Sequence, residues 1–132
     1  MVKDDDNILV VEGKRARVEF AVRKNGSMPA KEFLDKVKTR DKTNRARLDV
    51  LFMRLAQRGK NDLSESVFSN LTKEIFEFKR HPYRVACFFM GNRCLLTHGF
   101  PKRRGPAFVA KEIKKATEIM AEHLEREQQA HA

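Results

Sequence analysis

Apolar and polar positions change period several times along the chain, and each change marks an element. From Arg15 to Arg23 they alternate, placing Ala16, Val18, Phe20 and Val22 on one side, which predicts a half-buried strand. Asn25-Gly26 ends it. The polar leader 1–14 ahead of it holds one short apolar run, Ile8–Val11, read as an edge strand. The period then lengthens. Pro29 suits a first helical turn, and a helix to about Thr39 carries Phe33, Leu34 and Val37 on one side. Asp41 is an N-cap for a second helix whose stripe is Leu48, Leu51, Phe52 and Leu55, closed by Gly59.

Residues 60–72 read as a surface connection that directs Leu63, Phe68 and Leu71 toward the core. Strand-like runs follow at Lys73–Lys79, Arg84–Met90 and Arg93–Phe100, with Pro82 marking the first turn and Gly91-Asn92 the second. The loop Pro101–Pro106 leads into a final helix with Val109, Ile113, Ala116, Met120 and Leu124 as its apolar side. The tail 126–132 is polar and expected to fray. The order β-α-α-β-β-β-α predicts one α+β domain over 15–125, a small mostly antiparallel sheet with helices packed on one face.

Pairing the predicted hairpins assigns faces. About the turn at 91–92, Phe89 meets Cys94, Cys87 meets Leu96, and Val85 meets His98, which turns His98 toward the buried face and sets Gly99 across from Arg84. About the turn at 81–82, Phe78 meets Val85 and Phe76 meets Cys87, completing the apolar face. On the other face Lys79 lies across from Arg84, and Glu77 across from Ala86. Directly opposed like charges are destabilising, so either Glu77 or a bound phosphate is expected to relieve the pair. Cys87 and Cys94 sit diagonally on the apolar face, poorly placed for a disulfide, and read as reduced core residues.

Charge sharpens this picture. Among 132 residues, 28 Lys and Arg stand against 18 Asp and Glu, a net charge of +10, which favours capture of polyanions. Part of it clusters in the loop Lys102-Arg103-Arg104, where three cations between prolines suit a phosphate grip. Lys111, Lys114 and Lys115 extend the strip along the final helix as candidate RNA contacts, or simply form its solvated side. No apolar run approaches the roughly 20 residues that span a bilayer, and the acidic N-terminus lacks a signal pattern, so a cytoplasmic protein with no membrane partner is expected. The cysteines lack a metal-ligand spacing, and neither a metal nor a cofactor is expected.

Four segments in order carry a family resemblance: Glu74-Ile75-Phe76-Glu77-Phe78-Lys79, Tyr83-Arg84-Val85, the run Leu95 to Arg103, and Lys111 to Ala116. Together they resemble the RelE/ParE superfamily of toxin–antitoxin toxins, in particular its HigB-like, phage-derived branch. The resemblance implies a ribosome-dependent messenger-RNA endoribonuclease, in which the ribose 2′-hydroxyl attacks the adjacent phosphorus. It implies Arg84 as the transition-state phosphate ligand, with Lys79, Lys102 and Arg103 as further catalytic cations; Arg104 is a candidate RNA contact. Expected partners are mRNA on the ribosome and an antitoxin carrying a helix-turn-helix domain. Several such enzymes use a final-helix tyrosine as general base; here the one tyrosine is Tyr83 and the final helix has Phe108. Glu77 and His81 are the replacement candidates, with His98 behind them. The alternative is a non-catalytic member of the superfamily that binds nucleic acid or gyrase.

Overall fold

The computed structural model describes residues 7–102 and 105–131. Among these residues six strands form one sheet: β1 (Leu9–Glu12), β2 (Arg17–Phe20), β3 (Phe68–Asn70), β4 (Phe76–Arg80), β5 (Tyr83–Met90) and β6 (Arg93–Pro101). Their spatial order is β1-β2-β6-β5-β4-β3. All neighbours are antiparallel except β2 and β6, which run parallel because the long segment 21–92 intervenes between them. Helices α1 (Pro29–Arg40), α2 (Lys42–Arg58) and α3 (Pro106–Ala130) complete an α+β fold, as the sequence predicts.

The helix boundaries follow their local chemistry. Pro29 opens α1, and Asp41 ends it and caps α2, its Oδ1 accepting the Asn44 backbone N–H at 3.2 Å. Gly59, at φ 87°, closes α2. The stripe Leu48, Leu51, Phe52 and Leu55 is fully buried, and Phe52 meets Phe78 edge-on at 4.9 Å. Cys87 and Cys94 are free, buried thiols in this layer, and burial pushes the Cys87 thiol up.

Helices cover both faces, not one. α1 and α2 pack over Val18, Phe78, Val85 and Leu96, whereas α3 packs over Ala21, Ala86, Phe88 and Leu95 on the other side. The predicted stripe of α3 is also turned. Ala116 is buried, but the inward line continues through Ile119 and His123, while Val109 is 39% exposed. The reason is polar: Glu112, His123 and Glu127 occupy inward positions, and a purely apolar stripe passes beside them. The helix runs on to Ala130, and its last turns are held by Glu127, which binds Arg93 and accepts from His123 Nε2 (2.8 Å). Residues 68–70 form a short edge strand on β4 instead of irregular connection.

The first hairpin registers as predicted, Lys79 opposite Arg84 and Glu77 opposite Ala86. The second departs. Cys87 pairs with Leu96 but Ala86 pairs with His98, so Thr97 is an extra residue in β6. Beyond this bulge Gly99 faces Val85 and Phe100 faces Arg84. His98 therefore turns to the α3 face, opposite to the expected one. Gly99 meanwhile meets α1: a Cβ there would sit 2.0 Å from the Phe33 ring. No helix among the described residues is long and apolar enough to cross a membrane.

Candidate functional site

The part of β6 beyond the bulge and the first turns of α3 frame a cavity of about 180 Å³. Arg84 and Phe100 form its sheet floor with Glu77, Lys102 lies where β6 leaves the sheet, and Phe108, Val109 and Glu112 supply the α3 wall. The floor is fixed by strand pairing. Lys102 is tied in place by its backbone N–H, which donates to the Pro82 carbonyl at 2.7 Å. Phe100 and Phe108 rings lie 6.3 Å apart and make one end apolar.

Arg84 Nε lies 3.7 Å from Glu77 Oε1, and both side chains are mostly covered, 16% and 13% exposed. Glu77 thus offsets the Lys79–Arg84 opposition, one of the two relief routes expected from the register. Burial pushes the Glu77 carboxyl above its ordinary value, and the Arg84 and Lys79 charges only partly reverse this. Lys79 is adjacent in register, but its side chain is not part of the cavity lining.

His98 is 1% exposed, and its Nε2 lies 2.8 Å from Glu112 Oε1. Its Nδ1 is 3.2 Å from the Thr97 hydroxyl, and its ring stacks on Phe100 at 5.1 Å. Burial lowers the imidazole pKa, and the hydrogen bond to Glu112 works against that. A neutral ring satisfies both contacts in one way: Nε2–H donates to the carboxylate and Nδ1 accepts from Thr97.

The other predicted residues divide clearly. His81 is exposed in the β4–β5 turn, outside the cavity lining. Lys111 and Lys114 are exposed on the outer side of α3. Arg103 and Arg104 lie outside the described residues. Tyr83 is structural: its hydroxyl donates to Asp41 Oδ2 at 3.2 Å and its ring meets Phe33 at 5.9 Å. Glu112 is the site residue that sequence reasoning missed. Its signal was its place four residues after Phe108 and four before Ala116, on the inward line of α3. Among the described residues no group of three His, Cys, Asp or Glu side chains could hold a metal ion.

No curated protein shows significant similarity to the chain. The model of a family described as phage-derived protein Gp49-like (DUF891) matches residues 32–121, an interval that holds every residue lining the cavity, from the floor strands and Lys102 to the Glu112 turn of α3. With well over half its length matched, the chain belongs to this Gp49-like family, a toxin–antitoxin-type family within the RelE/ParE-like toxin superfamily.

Proposed function

We propose that the protein is the toxin of a type II toxin–antitoxin pair, of the HigB-like kind, and cleaves messenger RNA on the ribosome. The observation that carries this is the cavity that joins Arg84 and Lys102 to the Glu77 carboxyl beneath a half-apolar wall. Cleavage by 2′-hydroxyl attack needs added negative charge stabilised at phosphorus and protons moved on two oxygens. Arg84 supplies a guanidinium fixed on a strand, and Lys102 a second cation at the mouth. Lys79, Lys111 and Lys114 fit the role of outer phosphate contacts, where Lys and Arg add affinity without chemistry, and Arg103 and Arg104 add further phosphate-binding cations. Phe100 and Phe108 suit an unstacked base.

An antitoxin for this surface must answer a +10 chain, so its contact is acidic. The test is induction in bacteria of the wild type and of Arg84→Ala, following growth and translation. Translation arrest by the wild type alone is expected; equal arrest by both removes Arg84 from the chemistry.

One observation favours a second reading, a non-catalytic member that binds gyrase or nucleic acid. Tyr83 is committed to Asp41, and α3 offers Phe108 where related enzymes carry a tyrosine. Induction separates the two, because gyrase poisoning elicits a DNA-damage response without translation arrest.

A further inference from the structure

We infer that Glu112, aimed by the buried His98, is the group that accepts the 2′-hydroxyl proton when RNA is cleaved in this cavity. The inference rests on the ribonuclease reading above and supplies the base that a final helix without tyrosine leaves open.

Three features of the geometry point to Glu112. It lines the same cavity as Arg84 and Lys102, from the opposite wall. It is aimed by Nε2 of His98 at 2.8 Å, a ring itself locked by Thr97 and by stacking on Phe100. And the Thr97 bulge is what brings His98 to this face; without it the imidazole would point into the α1 layer. A base oriented by a third group is the ordinary arrangement of an activated site. Glu77 is less suited to that role, because it faces the Arg84 guanidinium that the phosphate must use.

The step balances within the site. The 2′-oxygen forms its bond to phosphorus while the bond from phosphorus to the 5′-oxygen breaks, its electron pair leaving with that oxygen. The 2′ proton passes to Glu112, and the 5′-oxygen takes a proton from the Lys102 ammonium at the cavity mouth. The products are a 2′,3′-cyclic phosphate and a 5′-hydroxyl. His98 is a positioning residue.

The test is single-turnover cleavage of ribosome-bound messenger across pH, with binding of a 2′-deoxy analogue at the target nucleotide measured beside it. The charged groups that set the profile are Glu77, Arg84 and Lys102 around Glu112, with Lys115 and Arg23 acting on His98. Glu112→Gln is expected to slow cleavage by roughly 10²–10⁴-fold with analogue affinity unchanged, and to lose the acidic limb over which the wild-type rate rises with pH. Glu112→Asp should recover part of the rate and the limb, and His98→Gln should lose less than Glu112→Gln. Cleavage by Glu112→Gln within about threefold of wild type, or a rate loss matched by an equal loss of analogue binding, overturns the inference. A wild type that does not cleave at all overturns the ribonuclease reading itself, and this inference with it.

Discussion

The two faces of the sheet are built on different principles. Under α1 and α2 the packing is hydrocarbon and aromatic, from Leu34, Leu48, Leu51, Phe52 and Phe78 to the two thiols. Under α3 the apolar cluster is smaller, and polar side chains enter the layer. Glu112 meets His98, His123 accepts the Val22 backbone N–H at 2.9 Å, and Glu127 and Glu19 grip Arg93. A buried polar group costs free energy unless it is bonded, so a face that carries several holds its partners in defined positions. The lesson is a division of labour: the apolar face supplies the stability, and the polar face spends part of it on a cavity with oriented charges.

The sharpest way to break that contrast is to damage one face at a time. Phe52→Ala removes a fully buried ring and should cost about 3–5 kcal/mol, read as a large drop in the urea midpoint. Arg84→Ala should leave that midpoint nearly in place and lower cleavage by roughly 10²–10³-fold, since it removes the cation proposed to stabilise the phosphate. If Arg84→Ala unfolds the protein instead, the polar face is structural and the contrast fails.

Gly99→Ala probes the junction of the two faces. Its Cβ would overlap the Phe33 ring, so α1 must shift, at a cost of roughly 1–3 kcal/mol. Thermal melting reads the loss, and an unchanged melting temperature would mean that Phe33 moves freely.

The smallest effect is the pH response of the α3 anchor. Arg93 and His123 hold the Glu127 carboxyl down to about 2, against an ordinary 4.5. Its folded-state pKa is depressed, so its contribution is full above about 4.5 and is lost as pH falls toward about 2. Glu122, held to about 2 by Arg23 and the Lys24 backbone N–H, acts in the same window and direction. Melting temperature should fall through that window, less steeply in Glu127→Gln; identical slopes would remove Glu127 from the anchor.

Much of the apolar face was legible in the sequence because its signals are local. Pro29, Asp41 and Gly59 bound the helices by their own chemistry, and the stripe of α2 repeats at helical spacing. The Lys79–Arg84 pair was equally readable, since a two-residue turn at His81-Pro82 fixes that register. The polar face resisted for a related reason. Thr97 adds a residue to β6 that no turn signal announces, and every later side chain changes sides. Glu112 and His123 look like solvated helix positions until their partners, His98 and the Val22 backbone, are brought up from elsewhere in the chain. The family resemblance proposed Arg84 and Lys102, which line one cavity; it named neither the histidine nor the carboxylate opposite them.

The most direct measurement maps the 5′ ends of messenger RNA after brief induction of the wild type and of Arg84→Ala. New 5′-hydroxyl ends within translated reading frames, present with the wild type and absent with Arg84→Ala, are the predicted result. Growth arrest by the wild type with no new messenger ends would contradict the assignment of the α3-face cavity as a ribonuclease site.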